Sequence, residues 1–177
     1  MSTKVGIIIG TNRHRAMTGE MALYYQQKLS LLGMEPFLID LRELPADFVF
    51  TALYDYRGQH PEYGFFQEQI DTCEKFIIIA PEYNGSFPGV LKAFIDGLRY
   101  PDSFRDKKVA FVGLSAGVLG NAVGLAHLSD IMSYMGANVL GLRIKLGEIG
   151  KYFKNQQLEN PIYEKLIDEQ ISKFLNF

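Results

Sequence analysis

Three short stretches of this sequence combine residue types that could bind a ligand or support a reaction. Residues 10–18 (GTNRHRAMT) place Thr11, Arg13, His14, Arg15 and Thr18 behind a glycine. Hydroxyls, guanidinium groups and the free amides of a helix start suit a phosphate dianion. No Gly-Lys-Ser/Thr follows, so this is not a Walker A loop, and Gly6 with Gly10 does not make the dinucleotide fingerprint G-x-G-x-x-G. The same residues also read as a polar turn with Thr18 as a helix cap. Residues 81–87 (PEYNGSF), followed by Pro88 and Gly89, can turn backbone N–H and C=O groups toward a flat heterocycle, with Tyr83 or Phe87 beside it. The competing reading is a turn before a helix, with Ser86 assisting the cap. Residues 115–121 (SAGVLGN) are small enough to let a ligand's polar edge approach the backbone, or to make a tight strand–helix connection.

A reacting side chain is harder to find. Ser115 has no histidine partner in sequence, and His14, His60 and His127 stand apart from one another. No Cys/His/Asp cluster has metal-ligand spacing. By position Glu82 and Asp96 could form a carboxylate pair, but Glu82 reads better as a loop acceptor and Asp96 as a helix-end residue, and Cys73 reads as structural. An anion loop and a flat-ring loop without a catalytic constellation imply that a bound cofactor carries the chemistry.

The elements that must position these loops follow from periodicity. Val5–Ile9, Pro36–Ile39, Phe76–Ala80, Lys108–Leu114 and Val139–Leu142 read as strands. Helices are expected from about Gly19, with Met21, Tyr25, Leu29 and Leu32 inward and Gly33 as stop; over about 62–73; over 88–98, with Val90, Leu91, Phe94, Ile95 and Leu98 buried; over about 122–135; and from Asn160-Pro161 onward, with Tyr163, Ile167, Ile171 and Phe174 inward. Residues 42–63 read as a long surface connection, and residues 143–157 as a mixed, partly basic one. Alternating strands and helices specify a doubly wound α/β domain with five parallel strands, in the flavodoxin-like order 2-1-3-4-5. In that order the three loops share one edge, because ligands sit outside the carboxyl ends of the strands at the switch point.

The chain has 177 residues, 47% hydrophobic and 21% charged, which suits a single domain over 1–177 with its own core. Its formal charge of −2, with both signs mixed, gives no electrostatic reason to expect nucleic acid or an anionic membrane as partner. The run Val5–Ile9 is too short for a signal segment or a membrane span, and the only cysteine, Cys73, cannot close an internal disulfide. A cytoplasmic location is therefore expected.

Residues 81–96 (PEYNGSFPGVLKAFID) closely resemble the signature of the NADPH-dependent FMN reductases, a flavodoxin-like group with azo-, quinone- and chromate-reducing members. Gly10-Thr-Asn-Arg13 with Thr18 resembles that family's phosphate loop, and Ser115-x-Gly117-x-x-Gly120 its third flavin loop. The resemblance implies FMN, with Thr11, Arg13, Thr18 and the backbone of Ala16 and Met17 at the phosphate. It places Pro81, Glu82, Tyr83, Asn84 and Gly85 along the isoalloxazine, and Ser115 and Gly117 at its other polar edge. It implies NADPH or NADH as hydride donor, a small-molecule electron acceptor and a homodimer or homotetramer, with the aromatic segment 48–66 as interface. Ala16 stands where the family commonly has serine, which removes one neutral hydrogen bond, worth about 0.5–1.5 kcal/mol. Arg15 is placed to compensate. Gly97 stands where the family often has an aromatic residue. An electron-carrier flavoprotein and a flavin-binding module without turnover are the alternatives. The modest charge and the arginine in the first loop argue against the carrier.

Overall fold

The computed structural model describes residues 4–177. Five strands, β1 (Lys4–Ile9), β2 (Glu35–Asp40), β3 (Lys75–Pro81), β4 (Lys108–Leu114) and β5 (Asn138–Val139), pair in parallel in the order β2-β1-β3-β4-β5. The expected flavodoxin-like order is the observed one. Helix α1 (Met17–Leu31) and the last helix, α7 (Pro161–Asn176), cover one face of the sheet. Helices α3 (Pro61–Asp71), α4 (Gly89–Gly97) and α5 (Ala122–Tyr134), with the short α2 (Phe48–Thr51), cover the other. Alternate residues of the central strands point to opposite faces: Ile77 and Ile79 enter the α1/α7 core, whereas Phe76, Ile78 and Ala80 enter the other. Burial on both faces explains why these strands are continuous apolar runs and not alternating ones.

Helix α1 begins at Met17, two residues before the sequence expectation, with Ala16 and not Thr18 at the cap position. Met21, Tyr25 and Leu29 are buried as expected, but Leu32 lies past the last turn and is exposed. Gly33 has φ +76°, the left-handed conformation that ends a helix. In α4 and just after it, Leu91, Phe94, Ile95 and Leu98 are buried and Val90 only partly so. In α7, Ile167, Ile171 and Phe174 are buried and Tyr163 is half-buried.

Three further departures have local causes. The segment 42–63 divides: Phe48 and Tyr63 enter the core, whereas Phe50, Tyr54 and Tyr56 are exposed. Tyr63 also explains Gly97. A Cβ at position 97 would lie 2.5 Å from the Tyr63 hydroxyl oxygen, so the ring from α3 occupies space beside the end of α4. Its hydroxyl donates to the Phe94 carbonyl, and burial pushes its pKa far up. The fifth strand is not continuous over Val139–Leu142. It stops at Val139, and a separate strand β6 (Ile144–Leu146) resumes pairing with β4. At the break, the buried Gln170 of α7 donates to the Phe111 and Leu142 carbonyls, both at 2.9 Å, and accepts from the Tyr25 hydroxyl at 3.0 Å. One side-chain amide thus serves carbonyls around the interruption, as a backbone amide would. The segment after β6 holds a helical turn, α6 (Ile149–Tyr152), and a two-stranded hairpin of β7 (Phe153–Lys154) and β8 (Gln157–Leu158). Among the described residues no helix is long and apolar enough to cross a membrane.

Candidate functional site

At the carboxyl edge of the sheet, Arg13, Met17, Thr18, Pro81, Glu82, Tyr83, Leu114, Ser115, Ala116, Ile149 and Gly150 line a cleft of about 220 Å³. All three loops meet there. A larger groove of about 570 Å³ lies between the far ends of α4 and α5, lined by Arg57, Ile95, Tyr100 and Tyr134 among others, and no residue of the three loops lines it. The smaller cleft is the one that combines a cation, a helix start and loop backbone.

The first loop leaves β1 at Gly10, whose amide donates to the Ile79 carbonyl of β3 at 2.8 Å. A Cβ at Gly10 would lie 2.8 Å from that same oxygen, so glycine lets the loop cross the neighbouring strand. Thr11 is fully buried, and its Oγ1 accepts from the Arg13 amide at 3.2 Å and lies 3.0 Å from the Tyr83 hydroxyl. It joins the first loop to the second. The amides of Met17 and Thr18 at the start of α1 have no intrahelical acceptor and no side chain caps them, whereas Gly19 N donates to Ala16 O at 3.0 Å. With the Arg13 guanidinium and the buried Thr18, and no acidic residue anywhere in 10–18, this donor set suits a phosphate dianion. Ala16 is at the cap but does not line the cleft, and neither does Arg15, which is exposed with φ +51°.

The second loop is a tight turn. Tyr83 N donates to Ser86 O at 2.8 Å and Ser86 N to Tyr83 O at 3.0 Å. Asn84 and Gly85 form its tip at φ +50° and +74°, both exposed and both outside the cleft lining. Ser86 does not cap α4. Its hydroxyl lies 2.9 Å from His127 Nδ1 of α5, and so His127 is a surface partner of this turn. The Glu82 carboxylate accepts from the Asn121 amide at 3.1 Å, and the Asn121 side chain donates to the Ala80 and Pro81 carbonyls, each at 3.1 Å. Glu82 is thus a loop acceptor, as its sequence position suggests. Asn121 is a fully buried residue at φ +61° that ties the third loop to the second. Sequence reading placed it at the end of a small-residue loop without assigning it a role.

In the third loop the Ser115 hydroxyl is engaged internally. It donates to Gly117 O at 2.6 Å and accepts from Gly120 N at 2.8 Å. Ser115 N and O and Gly117 O are also engaged, with Leu146, Ile149 and Glu148, so the amides of Ala116 and Gly117 are what this loop offers a ligand. Ala116 lines the cleft and Gly117 does not. The remaining wall, Ile149 and Gly150, comes from the connection that sequence reading left unassigned. Nothing in its composition marked it, because its role depends on which chain lies opposite. Among the described residues no group of three or more His, Cys, Asp and Glu could hold a metal ion.

A parallel sheet in this order, with an uncapped helix start and two backbone-rich loops at its switch point, defines a flavodoxin-like nucleotide-binding protein. The family model for NADPH-dependent FMN reductase matches residues 3–147, and the chain belongs to that family. It is an oxidoreductase using FMN and a nicotinamide hydride donor. Among characterised relatives it is 25% identical to a 2-hydroxy-1,4-benzoquinone reductase of Burkholderia sp, over 99% of this chain and 91% of that protein. It is 28% identical to an FMN-dependent NADPH-azoreductase of Staphylococcus aureus, over 96% and 94%. Among solved structures, FerB, a flavoenzyme NAD(P)H:(acceptor) oxidoreductase from Paracoccus denitrificans, superposes with TM-score 0.82 at 21% identity, covering 98% of this chain and 96% of that one.

Proposed function

We propose that the cleft at the sheet edge holds FMN, in one flavodoxin-like unit spanning 1–177, and that the electrons pass to a small quinone or azo compound. The supporting observation is the convergence of Arg13, Met17 and Thr18 with Pro81–Tyr83 and Ser115–Ala116 around one opening. The Arg13 guanidinium and the amides of Met17 and Thr18 would take the phosphate, with Ala16 contributing backbone only. Thr11 would act through Tyr83, to which it is hydrogen-bonded. Pro81–Tyr83 would flank the ring, with Asn84 and Gly85 holding the turn, and the amides of Ala116 and Gly117, beside Ser115, would meet its other polar edge. Held there, FMN would supply two-electron chemistry between NADPH or NADH and the acceptor. The side chains hold, orient and exclude water.

The acceptor classes are those in the names of the Burkholderia and Staphylococcus relatives. A cytoplasmic location belongs to the same reading, because the only cysteine is buried and burial pushes its thiol pKa up, so it is not set up for disulfide chemistry. So does a homodimer or homotetramer, for which the exposed rings of Phe50, Tyr54 and Tyr56 supply contact surface. Purified protein mixed with FMN should show a bound-flavin spectrum that NADPH bleaches without oxygen and a quinone restores. Protein that takes up no FMN sinks the reading. Binding without bleaching by either nicotinamide makes it an electron carrier.

A further inference from the structure

The family match ends at residue 147, yet the next turn closes one side of the cleft. Strand β6 delivers the chain to Gly147, where any Cβ would clash with the Val118 carbonyl, so the turn and the third loop touch backbone to backbone. Three hydrogen bonds stitch them together: Ser115 N to Leu146 O at 3.1 Å, Glu148 N to Gly117 O at 2.7 Å and Ile149 N to Ser115 O at 3.2 Å. Glu148 adopts φ +48° to make the bend, and its carboxylate pairs with Lys151 at 2.5 Å. The chain then reaches the start of α1: a Cβ at Gly150 would lie 3.9 Å from Met17 Cε. The wall therefore runs from the third loop to the helix start, across the cleft from Pro81–Tyr83. From behind, the Tyr163 hydroxyl of α7 donates to the Gly147 carbonyl at 3.0 Å, and its ring packs edge-on against Tyr152 with centroids 5.8 Å apart.

We propose that the turn 147–152 is a clasp over the cofactor and that Tyr163 is the positioning residue that holds it down. The clasp slows FMN release. This rests on the reading that the cleft holds FMN. Ile149 and Gly150 close the cleft between Met17 and Ser115, and without them a ligand held from the other side would have that way out. Tyr163 does not line the cleft, so its effect must pass through the turn, by its hydroxyl on Gly147 and its ring on Tyr152.

The test measures FMN uptake and release by flavin fluorescence on the full chain, alongside the melting temperature of the FMN-free protein. Tyr163→Phe removes one hydroxyl and keeps the ring; release should be about 3–10-fold faster, the equivalent of one hydrogen bond. Gly150→Leu adds bulk at an exposed position where the backbone is not at positive φ and a Cβ would have Met17 Cε, at 3.9 Å, as its nearest neighbour from elsewhere in the chain; FMN should bind roughly tenfold more slowly, with a melting temperature little changed. Release from Tyr163→Phe at the unaltered rate overturns the proposal, as does Gly150→Leu taking up FMN like the unaltered protein. The second variant is read independently of the first, so a fold defect in Tyr163→Phe does not protect the idea. If the unaltered protein takes up no FMN, the failure belongs to the flavin reading itself.

Discussion

The two walls of the cleft are built in different ways. Pro81–Tyr83 is the end of one strand and the start of one turn, a continuous piece of chain braced by side chains of Asn121 and Thr11, with Asn84 and Gly85 accepting positive φ at an open tip. The opposite wall is two distant pieces of chain in backbone contact, residues 115–120 against 145–150. The first wall is local turn chemistry. The second exists only because glycines at 120 and 147 leave no side chain between the pieces. Glycine is needed in both, for conformation alone at Gly85 and for conformation and space together at Gly120.

Substituting those glycines puts the comparison at most risk. Gly120 has φ +57° and its Cβ would lie 2.5 Å from Leu146 N and Lys145 C, so Gly120→Ala should cost about 3 kcal/mol or more in urea unfolding. Gly85→Ala has the same conformational problem with nothing within 4 Å, and should cost only about 1–2 kcal/mol. Equal losses would mean that the second wall is not held by close approach. Between the walls, Arg13→Ala should weaken FMN binding by about 1.5–3 kcal/mol, measured by titration, while leaving FMN-free stability unchanged. An unchanged affinity would mean the phosphate lies elsewhere.

The support of the second wall can be probed from beneath. Gln170→Leu leaves the Phe111 and Leu142 carbonyls without their buried donor, and should lower stability by about 1–3 kcal/mol. On the first wall, Tyr83→Phe breaks the contact with Thr11 and should cost about 0.5–1.5 kcal/mol, read as FMN affinity and stability together. The smallest effect lies outside both walls. Burial of the Asp40 carboxyl raises its pKa, but hydrogen bonds and charge from Arg42 outweigh this and hold it below the usual carboxylate range. A depressed folded pKa contributes stability that is present above the unfolded value and lost as pH falls through the folded one. Asp40→Asn should therefore flatten that acid limb of the stability curve and leave stability at neutral pH little changed beyond the lost pair. An acid limb identical to that of the unaltered protein would show that this pair is not responsible.

Much of this molecule was decided by sequence alone. Five apolar runs separated by amphipathic helices require a parallel, doubly wound sheet, and that sheet brings residues 10–18, 81–87 and 115–121 to one edge. Periodicity is cumulative over many residues, so single exceptions such as the exposed Leu32 do not overturn it. The tertiary structure alone decided that Thr11 and Ser115 turn their hydroxyls inward, that Asn121 ties two loops, that Gly97 makes room for Tyr63, and that the fifth strand breaks where Gln170 reaches in. It also decided that Ile149 and Gly150 face the cleft while Asn84 and Gly85 do not. The reason is the same in each case. A glycine or an amide looks alike in sequence whether it meets solvent or another backbone, and only the folded chain determines what lies opposite it.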